Sequence, residues 1–501
     1  MSNIRVTHTG LLSFFIAIIT IFSSFAFILI ITRTLSPDEF GTWTLINGLL
    51  LYALMGNTIT SYWSTRDVAR NIESGKTALL GSMILSIGFI IIYLILSYFM
   101  GYQTNVDLNI LLFSSILIPI LFLSGTLTAI NLGWKPHVIS YGSLILGISQ
   151  IFIALFLVYF LKMGVTGIIA TVSISNLINI LFLYKHARSK LKNSFNIDFL
   201  KSWIRLSWIS LYPGLPIMIE GSGLIIFSLM TESIIGLAIW AAALVTPSII
   251  SHVGLISRAI YPKLLEGGDK HYLENNLTLL LYFNFLVTGL VIVFAKSALI
   301  ILNPIYQDAY FILILLAVGN FFSVLTNVFI QGLTGNESID LNKKATFRQY
   351  MKSKLFYPHT LRLIQSFSSI LVLPIGLLIL THNNYDVITL VEFWAITSLV
   401  TQIPLTFVLY LSARNTLQFS LNRITICKYL IVSIITFSII FILSEEFLIY
   451  NDDLYSFVLE ALIFAIVGIS LYLIFTYILD SNTRILLKSI INEIINKIDG
   501  K

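Results

Sequence analysis

A single cysteine, Cys427, stands among 501 residues. One thiol closes no internal disulfide and assembles neither a zinc site nor an iron–sulfur cluster. Charge is scarce as well: Asp, Glu, Lys and Arg make up 11% of the chain, where a soluble protein carries about 25%. Large polar loops are missing on one side of the hydropathy pattern. There the connections are as short as GYQTNVD (101–107), KMG (162–164) and THNNYD (381–386), and the longest is SEEFLIYNDDLY (444–455). A membrane glycosyltransferase or polysaccharide polymerase needs a sizeable external loop with catalytic side chains, so this pattern argues against a surface enzyme. Nor does a small-residue cleavage site follow the first apolar run, Leu11 to Ile31, which is too long for a signal-peptide core and reads as a membrane helix.

What the chain does have is hydrocarbon. Hydrophobic residues reach 57% and mean hydropathy is +0.91. Apolar runs of about twenty residues, each long enough to cross a bilayer, follow one another almost to the C-terminus. Fourteen spans are expected, at 10–32, 43–63, 78–100, 108–132, 138–161, 165–184, 206–230, 235–256, 277–301, 310–333, 360–380, 387–411, 426–443 and 456–479. With the N-terminus inside, only Arg33, Lys162 and Lys296 fall on the outer side, which leaves 27 of the 30 Lys and Arg inside. This asymmetry obeys the positive-inside rule and predicts a multi-pass protein of the cell membrane with both termini in the cytoplasm. The net charge of +6 is therefore a topology signal, and no nucleic-acid partner is expected.

A basic stretch at 185–205 divides the first twelve spans into six and six. RTLSPDEFGTW leads into span 2 and MTESIIGLAIW into span 8, each with an acidic turn, a glycine (Gly41, Gly236) and a tryptophan (Trp43, Trp240). The glycines are 195 residues apart; Arg66 and Arg258, which end the two spans, are 192 apart. An even number of spans per half makes this a parallel repeat. The expected fold is an all-α polytopic membrane protein. Two six-helix bundles are related by a parallel pseudo-twofold, and two extra C-terminal helices follow. Its parts are an N-terminal lobe at 1–184, a cytoplasmic linker at 185–205, a C-terminal lobe at 206–411, spans 13 and 14 within 412–479, and an amphipathic tail at 480–501.

Polar side chains at helical spacing mark the faces that avoid lipid. Asn57, Ser61 and Ser64 do so in span 2, and Asn320, Ser323, Asn327, Gln331 and Thr334 in span 10. Ser140, Ser143 and Gln150 in span 5, with Thr171, Ser175 and Asn179 in span 6, form further stripes. Such faces either line a wet cavity or bond helix to helix, and for spans 5 and 6 helix bonding is the expectation. Glu220 lies deep in span 7, just after YPGLP. Pro213 and Pro216 each remove a backbone donor there, and an isolated carboxylate in hydrocarbon must be protonated, paired or wetted. It is the candidate for holding a coupling H+ or Na+, or for pairing with a cation; the alternative is a neutral acid bonded at the kink. For an anionic head group the cationic candidates are Arg66, Arg205, Arg258 and Arg362, all at the inner ends of spans, where snorkelling anchors are also common. His252 is expected to be an interior histidine. No cofactor and no metal site is expected.

Two inner segments are amphipathic. In the first, Phe347, Met351 and Leu355 are flanked by Lys343, Lys344, Arg348 and Lys352; in the tail, Ile490, Ile491, Ile494, Ile495 and Ile498 form the apolar face. Either they anchor at the inner leaflet or they help gather an anionic lipid-linked substrate.

RTLSPDEFGTW after span 1, STRDVAR closing span 2 and KSKLFYPHTLRLIQS entering span 11 resemble the polysaccharide-biosynthesis flippases. These belong to the multidrug/oligosaccharidyl-lipid/polysaccharide exporter superfamily. The resemblance runs over nearly the whole chain and includes the twelve-plus-two count. It implies a monomeric carrier, not an enzyme, that moves a polyprenyl-(di)phosphate-linked oligosaccharide to the outer leaflet by alternating access. The sugar would pass through a hydrated cavity while the lipid tail stays in the membrane lipid, in related flippases along a groove of helices 13 and 14. One departure is plain: relatives that bind lipid diphosphates often carry an arginine deep in helix 1, and LLSFFIAIITIFSSFAFILIIT has none. The rival expectations are a cation-coupled multidrug exporter of the same superfamily and, from another class, a membrane glycosyltransferase or polymerase.

Overall fold

Inside a bilayer every backbone N–H and C=O must find its partner within the segment, so long apolar runs fold as helices. The computed structural model, which describes residues 4–104, 106–259, 270–335, 347–450, 453–481, 483 and 484, is built this way, with no strand among the described residues. Its first half contains α1 (Ile4–Thr34), α2 (Pro37–Met55), α3 (Asn57–Ala69), α4 (Gly75–Thr104), α5 (Leu108–Phe113), α6 (Leu117–Trp134), α7 (His137–Ala154), α8 (Gly164–Ala187) and α9 (Ile197–Arg205). Next come α10 (Ser207–Leu211), α11 (Leu215–Thr231) and α12 (Ile235–Val245), then a 3-10 stretch at Pro247–Ala259. The remainder is α13 (Lys270–Val293), α14 (Ala295–Leu302), α15 (Tyr310–Gly335), α16 (Phe347–Lys352), α17 (Tyr357–His382), α18 (Val387–Leu417), α19 (Arg423–Phe447) and α20 (Leu454–Leu479).

Each of the fourteen expected spans has a helical counterpart. Among the described residues eleven helices are long and apolar enough to cross a membrane, and α12 with Pro247–Gly254 makes a twelfth that bends by 45°. The chain is thus an integral, multi-pass membrane protein. Three local features shape the spans. LSPDEFGTW starts α2 with a capping box: Glu39 N–H donates to Ser36 Oγ at 3.2 Å and Ser36 N–H to Glu39 Oε2 at 3.0 Å, with Pro37 at the first helical position. Span 2 breaks at Gly56 into α2 and α3. Pro213 tightens Tyr212–Gly214 into a 3-10 turn between α10 and α11, the interruption expected of YPGLP.

The chain forms two compact units, residues 1–242 with 366–394, and residues 243–365 with 395–501. In the first, one core cluster joins Ile59, Val68, Ala78, Leu127, Ile130 and Leu183 to Leu200 and Trp203. Helix α9, within the basic stretch at 185–205, is packed into that core. Two polar ties hold it: Asn196 N–H donates to Thr77 Oγ1 at 2.9 Å, and the Trp203 indole donates to Asp67. Burial raises the Asp67 carboxyl above its ordinary value, against the opposing pull of the Trp203 indole, the Arg70 charge and the nearby Ser74 hydroxyl. A carboxyl raised in the folded state favours its proton there. The cost of burying its charge is full at neutral pH and is relieved as pH falls through the raised value. Asp67→Asn keeps an acceptor for Trp203 without the charge and should match or exceed the wild-type melting temperature at pH 7. Asp67→Ala leaves the indole unpaired and should cost about 1–3 kcal/mol, read as a lower melting temperature.

In the second unit the extra pair α19 and α20 is docked on α13 through a buried cluster of Tyr282, Tyr429 and Tyr472. Tyr472 Oη donates to the Tyr282 carbonyl at 3.0 Å, Tyr282 Oη lies 3.1 Å from Thr476 Oγ1, and Ser433 Oγ donates to the Phe285 carbonyl at 3.1 Å. Gly289 lies so close to the Phe437 ring that a Cβ there would overlap it. Of the first amphipathic segment only Phe347–Lys352 is described as helix, and Lys343, Lys344 and the tail beyond Arg484 lie outside the described residues.

Candidate functional site

Glu220 sits near the middle of the Ser207–Thr231 span, on the helix that restarts after the Tyr212–Gly214 turn. Its Oε1 accepts a hydrogen bond from Ser366 Oγ at 2.9 Å. Ser366 is fully buried on α17, in the same unit, while Glu220 itself is half-buried. Among the described residues no Lys or Arg lies within ion-pair distance of Glu220. The surroundings are otherwise apolar and tight. Gly221 packs against Leu51, and Ser222 is hydrogen-bonded to Tyr52 of α2. A Cβ on Gly223 would stand 2.8 Å from Trp394 Cζ2, so the helix approaches that ring closely only as glycine. Trp394 in turn stacks on Phe227 at 5.4 Å and on Trp240 at 3.9 Å. A carboxyl with one neutral donor and no cation suits a proton or a small cation that comes and goes. Ser366 was not among the expected partners. Its signal is the polar run IQSFSS (364–369) inside an apolar span.

Asn57 and Ser61 are spent largely on packing. Asn57 Oδ1 accepts from Thr126 Oγ1 at 3.0 Å, Ser61 Oγ returns to the Asn57 carbonyl at 2.9 Å, and Thr65 Oγ1 ties α3 to the Ala129 carbonyl at 3.0 Å. Thr171 and Ser175 are buried and back-bonded to their own helix at 2.8 and 2.7 Å. On α15 the stripe is wetter: Asn320 and Ser323 are half-buried, Asn327 is exposed, and the buried Gln331 Oε1 has no hydrogen-bond partner. Asn320 Nδ2 donates to the Leu316 carbonyl at 2.9 Å. An adjacent polar knot that the stripes did not reveal joins α15 to α18, with Thr326 Oγ1 2.8 Å from Thr406 Oγ1 and 3.0 Å from Gln402 Nε2.

The cationic candidates are dispersed. Arg66 is exposed with its guanidinium 4.3 Å from the Tyr62 ring centroid, Arg205 is exposed at the end of α9, and both belong to the first unit. Arg362, half-buried on α17, belongs to the second, and the side chain of Arg258 lies outside the description. His252 is exposed rather than interior. It follows the 45° bend, in a 3-10 stretch whose three residues per turn rotate it off the face that an α-helix would give it.

Two cavities accompany these residues. One, of about 660 Å³, lies within the first unit where the loops before α2, α5, α8 and α12 converge, and carries Asp38, Glu39, Asp107, Lys162 and Glu232. The other, of about 860 Å³, is an apolar groove within the second unit. Phe285, Gly289 and Ile292 of α13, Val318 and Phe321 of α15, and a run of α19 from Leu430 to Ile442 form its walls. That run is about 18 Å long at 1.5 Å per residue. Ile434, Phe441 and Ile442 are more than 45% exposed, so the groove is open along its side.

Solved structures with this arrangement of helices are known. An inward-facing conformation of a multidrug resistance MATE family transporter of the MOP superfamily superposes with a TM-score of 0.58 at 13% identity, over 80% of this chain and 94% of that one. The chain has a MATE-like fold. A MATE structure in complex with MaD3S agrees, at TM-score 0.50 and 13% identity, over 80% of this chain and 92% of its own. No protein family and no curated protein matches the chain by sequence. At such identities the likeness concerns the fold and carries no substrate.

Proposed function

We propose that the chain is a flippase that carries a polyprenyl-(di)phosphate-linked oligosaccharide from the cytoplasmic to the outer leaflet of the cell membrane. The observation that carries this reading is the side-open apolar groove on α13, α15 and α19. Its volume of about 860 Å³ and its run of about 18 Å suit an extended hydrocarbon chain that remains in contact with lipid. Two six-helix lobes alternate access in this reading, with both termini in the cytoplasm. Glu220, with Ser366, holds the coupling H+ or Na+. The stripe of Asn320, Ser323, Asn327 and Gln331 faces the passing sugar, and Arg66, Arg205, Arg258 and Arg362 supply cations for the diphosphate at the cytoplasmic side.

A cation-coupled multidrug exporter is the second reading. The fold likeness to a multidrug resistance transporter favours it, and the Glu220–Ser366 pair serves it equally well. Deleting the gene separates the two. On the flippase reading, lipid-linked sugars accumulate on the cytoplasmic leaflet, as measured with an impermeant lectin on right-side-out and inverted vesicles. Normal appearance of those sugars outside, together with reduced efflux of cationic dyes, would replace it with the exporter reading.

A further inference from the structure

Three segments meet at one end of the first unit: 66–76, 133–137 and 185–205. Together they hold ten Lys and Arg against three acidic residues. Their contacts are specific. Lys190 Nζ donates to Asn71 Oδ1 at 3.3 Å and stands 4.1 Å from the centroid of the Trp134 ring, and Lys135 Nζ lies 5.6 Å from the same ring. None of Lys135, Lys190, Lys201 and Arg205 has a carboxylate within ion-pair distance among the described residues. Helix α9 borders this cluster and is strongly two-faced. Leu200 and Trp203 are buried, while the exposed side of the helix carries Ile197, Lys201, Ile204 and Arg205, spaced four, three and one residues apart. Ile197 and Ile204 are each 46% exposed and Trp134 is 38% exposed.

We infer that this rim docks the head groups of anionic phospholipids, with α9 lying in the plane of the membrane surface. Ammonium groups without a carboxylate partner keep donors available for phosphate oxygens. An acidic protein or a nucleic acid would satisfy the cations but leave the isoleucines in water. A leaflet satisfies both, because isoleucine reaches the acyl boundary while lysine and arginine stay with the phosphates. Trp134, an amphipathic ring held beside two ammonium groups, fits the same depth. The inference is independent of the transported substrate, since an exporter with this rim would hold the same lipids.

Native mass spectrometry of the full chain in detergent, titrated with phosphatidylglycerol or phosphatidylcholine, tests it. The wild type should hold phosphatidylglycerol at least about fivefold more tightly than phosphatidylcholine. The pair Lys135→Gln and Lys190→Gln should lower phosphatidylglycerol affinity about 25-fold, at roughly fivefold per lysine, and leave phosphatidylcholine unchanged. Lys296→Gln, in a different segment, should alter neither. Should the double variant fail to fold, Lys201→Glu on the exposed face of α9 should show a loss of about fivefold or more. Equal affinity of the wild type for both lipids, or undiminished phosphatidylglycerol binding by the variants, overturns the inference. Displacement of the bound lipid by inorganic phosphate at equal concentration would assign the rim to free phosphate and overturn it too.

Discussion

Glu220→Gln should leave the protein folded and transport uncoupled from its ion gradient. Gln is nearly isosteric, and its side-chain oxygen can still accept the bond from Ser366 Oγ that the carboxylate accepts at 2.9 Å. Only the capacity to bind and release a proton or cation is removed. Gradient-driven uptake into proteoliposomes should fall at least about tenfold, equivalent to about 1.4 kcal/mol in the driven step, with melting temperature and expression unchanged. Ser366→Ala is the graded companion. It removes a neutral donor from a charged acceptor, a contact worth about 1.5–3 kcal/mol, and should move the pH or sodium midpoint without abolishing coupling. Full transport by Glu220→Gln with unchanged pH and sodium dependence would remove Glu220 from the mechanism.

Filling the apolar groove should separate substrates. Ser438 lines the groove from α19 and is exposed, so a large side chain there enters the groove without displacing core residues. Ser438→Trp should slow translocation of a lipid-linked oligosaccharide about tenfold or more, about 1.4 kcal/mol in the barrier. It should leave the melting temperature intact, because the Tyr282, Tyr429 and Tyr472 cluster that docks the extra pair does not include residue 438. Ile434→Trp on the same wall should act in the same direction. Unimpaired translocation by both variants, measured beside a control tryptophan at Leu462 on α20, would show that no chain uses the groove.

Much of the fold was legible because lipid punishes an unpaired backbone. Apolar length alone located fourteen spans, and the Pro-Gly-Leu-Pro sequence marked the turn before Glu220. Other features are not legible in the sequence. The 185–205 stretch reads as a charged linker, since its basic residues mask the two side chains, Leu200 and Trp203, that dock it. His252 was misplaced because helical spacing assumes 3.6 residues per turn, and that segment turns every three. At the candidate site, Glu220 stood out as a rare carboxyl in hydrocarbon, yet Ser366 did not. A serine in a membrane helix usually bonds its own backbone, so sequence does not tell which one reaches across to a neighbour. The periodicity of Asn57 and Ser61 likewise does not tell that their hydrogen bonds run to α6 and to their own helix. The resemblance implied a groove of helices 13 and 14; the groove present is walled by α13, α15 and α19. Sequence does not locate it, because an apolar wall and an apolar lipid-facing surface have the same composition.

Reconstitution decides the matter most directly. The purified chain in proteoliposomes, loaded with a fluorescent polyprenyl-diphosphate-linked oligosaccharide, is followed by the fraction of sugar that an impermeant lectin can reach. The flippase account predicts protein-dependent exposure of the sugar that accelerates under an ion gradient and slows in both Glu220→Gln and Ser438→Trp. Gradient-driven movement of a cationic dye with no movement of the lipid-linked sugar would contradict it.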